Sequence, residues 1–467
     1  MESCVKEYLA KMGYRVNDNA MAVIRICDNW YANRCVKGFH KRKTVQGTEY
    51  ELNRLNFAKR CCADDANLCE VVEINAGKNK EQFEYVNTIL KNSNFDTNYR
   101  GQLERVSGKG TAACYVRVDN VDFLKSGKTK GGTIKLNYVD AEGYVPLTID
   151  NGIVEEAAFS GSSICKGKKR TTLVLFLKNE TGTYISETHI FDEIGNEMKE
   201  LEVKVTLGDV KPFAVMRNAE VNNLDDMDGY GIPKIWNAIP YLEGLDLCYN
   251  ILFGDLDKGE KLMLVNELIC KFDENGEPIT PNEQTKKTFV MLGQEKLPQE
   301  KSLVYEYNPE IRIEQITKTF ELLLSLLSNI FGYGTKKYSF ENGQITIATE
   351  YIGERQDAMQ ELNRQRYEAE QYICDIAKAV MWFSNTFLNS SWNLEEEITV
   401  EFDDSYIEDK AAKLEQKRND ALSFDIPQLT IWYLMDAYNL TDKEATALVQ
   451  QKQEEEEKKD KDEETED

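Results

Sequence analysis

The sequence predicts an α+β protein, and three observations carry that reading. Residues 313–330 place Ile313, Ile316, Phe320, Leu323, Leu324, Leu327 and Ile330 at three- and four-residue spacing, one apolar stripe on a helix of roughly 30 Å. A second helical pattern runs from about residue 354 to 388, roughly 50 Å at the same rise. Upstream, β-rich runs such as Thr172-Leu-Val-Leu-Phe-Leu and Tyr184-Ile-Ser-Glu-Thr-His-Ile alternate with helical segments.

In chain order, the first fourteen residues are amphipathic and lack the apolar core of a signal peptide. Helical periodicity is clear over 21–31 and 53–68, and strands are expected at 134–139, 172–177, 184–190 and 201–207. The acidic stretch 222–230 reads as a loop, after which Gly231-Ile-Pro opens a helix running toward Phe253 with a kink at Pro240. Residues 259–310 hold four of the nine prolines and two short apolar runs, 262–265 and 288–292, so a small strand-and-loop insertion is expected between two helices.

The stripe at 313–330 makes the next helix, and the segment 332–344 that follows it reads as a short polar loop. Ile345-Thr-Ile-Ala-Thr is strand or the start of the long helix. Trp382, Phe383 and Phe387 recur at helical spacing and are expected in the core. Residues 397–402 alternate as a strand, and two or three helices follow, one announced by the capping box Thr441-Asp-Lys-Glu. The last segment, 450–467, is almost all charge.

Composition narrows the function. With 467 residues and a formal charge of −24, the chain is large enough for more than one core and lacks the basic balance of a tight nucleic-acid binder. Eleven cysteines, an odd number with no CxxC pair, fit reduced thiols better than a disulfide framework. The longest apolar run, 322–327, is too short to span a membrane.

Catalytic motifs are thin. Gly127-Lys-Thr has the end of a phosphate-binding loop, but its first glycine position is Asp122, and Ser107-Gly-Lys-Gly-Thr fails likewise. Asp225, Asp226 and Asp228, with Asp403 and Asp404, offer carboxylates that could gather a divalent metal as in a nuclease, or simply be solvated. His40 and His189 are the only histidines and assemble neither a zinc site nor a triad. No catalytic residue, metal site or cofactor is expected. Lys336 and Lys337, in the loop after the first striped helix, could touch phosphates or serve only solubility.

The order of these pieces resembles one family. Asn53-Arg-Leu-Asn-Phe-Ala-Lys-Arg, Tyr144-Val-Pro-Leu-Thr-Ile-Asp-Asn-Gly-Ile, Tyr230-Gly-Ile-Pro-Lys-Ile-Trp, Tyr338-Ser-Phe, Ile347-Ala-Thr-Glu and Asp404-Ser-Tyr-Ile-Glu-Asp are similar, in that order, to segments of the tailed-bacteriophage portal proteins of the siphophage branch. The resemblance covers about 17–450, with a shorter C-terminal helical part and no long basic tail. It implies a portal fold: an α/β wing (1–231), a stem helix (232–258), a clip (259–311), a second stem helix (312–332), a tunnel loop (333–346), a long helix with a wing return strand (347–403), a helical crown (404–449) and an acidic tail (450–467).

It further implies a non-enzymatic ring, typically of twelve copies, at the unique capsid vertex of the virion, assembled in the host cytoplasm. Through it double-stranded DNA would be packaged, retained and ejected. The implied partners are the terminase large subunit, a connector or adaptor protein, the major capsid protein and scaffolding protein, with no membrane. On that reading Lys336, Lys337, Asn342 and Gln344 face DNA, Glu314, Lys318 and Glu321 line the channel, and Lys271, Glu277, Lys286 and Lys287 dock the motor. The other classes are a metal-dependent nuclease and a ring scaffold that does not handle DNA.

Overall fold

A computed structural model describes residues 2–467 except 70, 77–78, 124–128, 260–261, 267–273, 276–288, 293–303, 308–310, 336, 339–347, 403–409, 425, 439–444 and 452–467. The described chain divides into two compact units, 1–400 and 401–467.

In the first unit the helices are α1 (Ser3–Lys11), α2 (Asp18–Tyr31), α3 (Phe57–Ala66), α4 (Lys80–Asn92), α5 (Phe95–Lys109), α6 (Lys234–Lys258), α7 (Ile313–Ile330) and α8 (Ala348–Phe387). The strands are β1 (Lys41–Lys43), β2 (Glu49–Glu51), β3 (Val71–Ala76), β4 (Thr111–Asp119), β5 (Asp122–Phe123), β6 (Thr129–Lys130), β7 (Thr133–Asp140), β8 (Tyr144–Asp150), β9 (Ile153–Cys165), β10 (Lys168–Lys178), β11 (Tyr184–Phe191), β12 (Val203–Thr206), β13 (Phe213–Arg217), β14 (Leu262–Asn266), β15 (Phe289–Leu292) and β16 (Val304–Tyr307). Strand β17 (Ile398–Phe402) pairs with β3, so the end of the long α8 segment returns to the N-terminal region.

The core forms where a five-stranded antiparallel sheet, ordered β12-β11-β10-β9-β8, faces a three-stranded one, β13-β4-β7. Aromatic rings fill the space between them: Phe159 lies 5.5 Å from Phe213 and 5.2 Å from Tyr115, and Phe176 stacks on Phe213 at 5.7 Å. Such pairs add to the area they bury. Helices α5 and α8 cover β4. Gln102 of α5 donates to the Ala113 carbonyl at 2.9 Å and accepts from the Tyr372 hydroxyl of α8. From Ala369 to Phe387, α8 buries most of its circumference, including the expected Trp382, Phe383 and Phe387.

Several sequence expectations are corrected. The helix expected over 53–68 begins only at Phe57, because Asn56 sits in the left-handed region at φ 60° and breaks the chain direction. The strand expected over 201–207 is a 3-10 turn at Lys199–Leu201 followed by β12. Helix α6 continues through Pro240, which stands in its interior, to Lys258 rather than stopping near Phe253. The expected strand runs near 262 and 288 are β14 and β15, which with β16 form a three-stranded sheet between α6 and α7. Helix α8 begins at Ala348, so the end of the ambiguous 345–349 run is helical.

The failed phosphate-loop pattern at Ser107-Gly-Lys-Gly has a structural use. Gly110, at φ 82°, ends α5, and a Cβ there would stand 2.1 Å from the Gly231 carbonyl oxygen. The same junction carries hydrogen bonds from Asn218 N to Gly110 O and from Gly231 N to Thr111 Oγ1, both 2.9 Å. It fixes the start of α6 against β4. Gly110→Ala should therefore cost at least about 2 kcal/mol, since left-handed strain adds to a backbone clash. A loss of unfolding free energy in urea smaller than half that would contradict the account.

The second unit holds α9 (Lys410–Phe424), α10 (Pro427–Tyr438) and a helical stretch at 445–451. Ile431, Ala445 and Val449 form its small core with Leu434 and Met435. The expected capping box at Thr441, the acids Asp403 and Asp404 and the charged 452–467 segment lie outside the described residues.

Candidate functional site

The feature with the most distinctive surface is the arm made by α6 and α7. The two helices run antiparallel: the Arg312 guanidinium at the start of α7 donates to both oxygens of Asp255 near the end of α6, at 2.8 and 2.9 Å. Further in, Gly244 lets the helices approach so closely that a Cβ would meet Leu323 at 3.1 Å.

Burial around α7 divides it into three faces at 100° per residue. Leu324, Leu327, Ser328 and Phe331, just beyond its end, are buried against the rest of the chain. On the opposite side Leu322 and Leu326 are 59% and 39% exposed. Glu314, Lys318 and Glu321, four and three residues apart, form a polar flank between them, with Glu314 and Lys318 exposed. Along the outer half of α6, Leu247, Ile251, Phe253 and Leu256 are also exposed. The arm therefore presents aliphatic and aromatic side chains that its own chain leaves uncovered.

The base of the arm is pinned by buried polar contacts. Lys234, at the first turn of α6 with a side chain only 2% exposed, pairs with Asp65 of α3 at 2.8 Å. The Tyr333 hydroxyl donates to the same carboxylate oxygen at 3.1 Å, and Tyr338 donates to Asp64 at 3.1 Å. Arg60 also reaches Asp64. About three turns further along α6, buried Asp246 receives the Leu55 amide at 2.8 Å and meets His40 Nε2 at 3.0 Å. Since Val36 N–H donates to His40 Nδ1, the ring proton lies on Nε2 and donates to Asp246.

This arrangement alters the picture of the loop after α7. Residues 332–344 read as a polar tip, but Phe331 and Tyr333 are buried and Tyr338 is half-buried against Phe57. Lys337 does not extend outward: its ammonium lies 3.7 Å from the Tyr333 ring centroid. Burial pushes the Lys337 pKa down, opposed by Asp64 and Asp65. Burial likewise holds Tyr333 well above the ordinary tyrosine range. The sequence missed this because Asp64 and Asp65, which receive the two hydroxyls, lie about 270 residues upstream. Lys336, Asn342 and Gln344, and the expected docking residues Lys271, Glu277, Lys286 and Lys287, lie outside the described residues.

Chemistry elsewhere is sparse. Burial pushes the Cys61 thiol up to about 12 and Cys62 well above its ordinary value, so both stay protonated. Among the described residues one group of possible metal ligands gathers within 4.8 Å: His189, Glu197 and Glu202. Both His189 nitrogens are already engaged, Nε2 with the Tyr8 hydroxyl at 2.9 Å and Nδ1 with Glu197 at 2.7 Å. Asp225, Asp226 and Asp228 belong to no such group. No described helix is long and apolar enough to cross a membrane.

No protein-family profile matches the chain, and no curated protein matches it. Among solved structures the chain is similar to one in "Neck of native GTA particle computed with C12 symmetry", at 11% identity and a TM-score of 0.39, over 84% of this chain and 89% of that one. A likeness at that level does not establish a shared fold.

Proposed function

We propose that the chain is a non-enzymatic subunit of a ring channel of the portal kind in a tailed-bacteriophage particle, passing double-stranded DNA and docking a packaging motor and then connector proteins. The observation that carries this reading is the arm. Two antiparallel helices with a small three-stranded sheet between them expose Leu247, Ile251, Phe253, Leu256, Leu322 and Leu326, which an isolated subunit leaves in water.

A ring supplies the cover, because each copy meets its neighbour through two different faces. On such a ring the polar flank of Glu314, Lys318 and Glu321 faces the channel. Acidic and mixed charge there lets DNA slide, whereas a dense basic lining would hold it through many phosphate contacts. Lys336, Lys337, Asn342 and Gln344 remain the proposed DNA contacts. For Lys337 this requires Tyr333 and Asp64 to release it.

Electron microscopy of the purified protein, and of particles carrying it, tests the reading. Closed rings with a central channel, located at a single capsid vertex, are the expected result. Replacing Lys336 and Lys337 with glutamate should then shorten or destabilise packaged genomes. Particles that fill and retain DNA without this protein would end the proposal.

A further inference from the structure

The hairpin joining β9 and β10 carries the most concentrated positive charge of the wing-like region: Lys166, Lys168, Lys169 and Arg170 within five residues. Cys165 pairs with Lys168, so the turn is the two-residue Lys166-Gly167, both at positive φ (51° and 80°). That is the turn type whose twist matches a hairpin, and it projects the basic residues from the sheet end. Lys169 is occupied by Glu2 at 2.6 Å. Lys166, Lys168 and Arg170 have no hydrogen-bond or ion-pair partner for their side chains among the described residues.

The opposite charge stands elsewhere on the same sheet. Asp225, Asp226 and Asp228 are exposed in the loop before α6, also without side-chain partners among the described residues. This loop is held along β8: Tyr230 donates to the Tyr144 carbonyl at 3.0 Å, Tyr144 donates to the Gly229 carbonyl at 3.3 Å, and Gly229 lies against Pro146 and Ile149. Asp226 and Asp228 line a cleft of about 430 Å³ with Pro146 and Ile149. Arg15 also lines that cleft, and Asp18 there is paired with Lys6 at 2.7 Å, so an excess of carboxylate remains.

Strand register fixes how far apart the two patches are. Pro146 pairs with Ala157 and Ile149 with Val154, whereas the basic turn follows Cys165 at the other end of β9. At 3.3 Å per residue the patches are on the order of 30 Å apart along one hydrogen-bonded sheet. A copy cannot bring its own basic turn to its own acidic loop.

We infer that the β9–β10 turn docks on the 225–228 loop of a second copy, making a head-to-tail contact between neighbouring subunits. The inference rests on the ring reading and adds the charged contact that sets which face meets which. Two different, mutually complementary patches on one molecule are what a heterologous interface requires. Three free cations face three free carboxylates. The pairs are surface-exposed, so they set register and rate of association and weaken with salt.

A charge-swap series on the full-length chain tests this, with assembly followed by analytical ultracentrifugation and negative-stain microscopy. The triple variant Lys166→Glu, Lys168→Glu and Arg170→Glu should require at least about tenfold more protein to assemble, as should Asp225→Lys, Asp226→Lys and Asp228→Lys. Mixing the two variants in equal amounts should recover assembly with the copies alternating, because the acidic turn of one then meets the basic loop of the other and the basic turn of the second meets the acidic loop of the first. Combining both triplets in one chain should restore closed assembly, because the complementarity is re-created with its sign reversed. Five of the six positions are exposed and Arg170 is half-buried, so circular dichroism should match the unmodified protein, and the double variant Lys166→Glu with Lys168→Glu repeats the test at exposed positions alone.

Assembly of every variant at the unmodified concentration overturns the docking while leaving the ring reading intact. Failure of the combined variant to recover assembly overturns it as well. Loss of affinity for a 30-base-pair duplex in the basic-turn variant, with assembly unchanged, would assign the turn to nucleic acid instead. An unmodified chain that stays monomeric at every concentration overturns both readings.

Discussion

Asp65→Ala is expected to destabilise the first unit by about 3–5 kcal/mol, the range for removing one member of a buried ion pair. The carboxylate receives the Lys234 ammonium at 2.8 Å and the Tyr333 hydroxyl at 3.1 Å. Its loss leaves Lys234, whose side chain is 2% exposed, deprived of its counter-charge in the interior. A hydrophobic replacement of both members behaves differently. Asp65→Leu combined with Lys234→Met should recover most of the loss, since neither charge then has to leave water. Urea unfolding followed by tryptophan fluorescence reads both. A single-variant cost below about 1 kcal/mol would mean that the pair is solvated and does not anchor the arm. The same substitution should expose Lys337 to trypsin, because Tyr333 loses the acceptor that helps to hold the loop base against α3.

Leu322→Asp with Leu326→Asp addresses the other side of the arm. In the isolated subunit both residues face away from the buried stripe, at 59% and 39% exposure, so the unfolding free energy should fall by no more than about 2 kcal/mol, from lost helix propensity and the like-charge pair. In a ring that covers this face, two carboxylates per subunit would have to be buried without partners, at several kcal/mol per interface. Because every interface of a closed ring pays that cost, assembly should fall by more than about a thousandfold in concentration dependence, well beyond the charge-swap variants. Size-exclusion chromatography with light scattering distinguishes monomer from ring. Rings forming at the usual concentration would place the subunit contact elsewhere and remove the support that the arm gives to the proposed channel.

Different parts of this molecule were legible to different degrees. Helix α7 could be read because its apolar positions repeat at helical spacing, and α8 because its amphipathic pattern runs for many turns. The two apolar runs between α6 and α7 became β14 and β15. Helix α5 was not legible: Gln102, Ser107 and Lys109 are buried in it, and a helix that buries polar groups carries no clean stripe. Strand β9 was missed because its Glu155, Glu156, Ser160, Ser162 and Ser163 break the apolar alternation that marks a half-buried strand.

The candidate site divides along the same line. Periodicity and turn composition, which act over a few residues, were enough to give an α+β chain, a striped helix after a proline-containing insertion, and reduced thiols in place of a disulfide framework. Which way Lys337 points depends on Tyr333 and Tyr338 finding Asp64 and Asp65 about 270 residues away. The outward direction of Leu322 and Leu326 depends on α6 taking the other face of α7, and the separation of the basic turn from the acidic loop on the register of β8, β9 and β10. A local pattern states that a side chain has a face. The elements that occupy that face come from distant parts of the chain, and only their packing decides whether it is core, anchor or surface left for another copy.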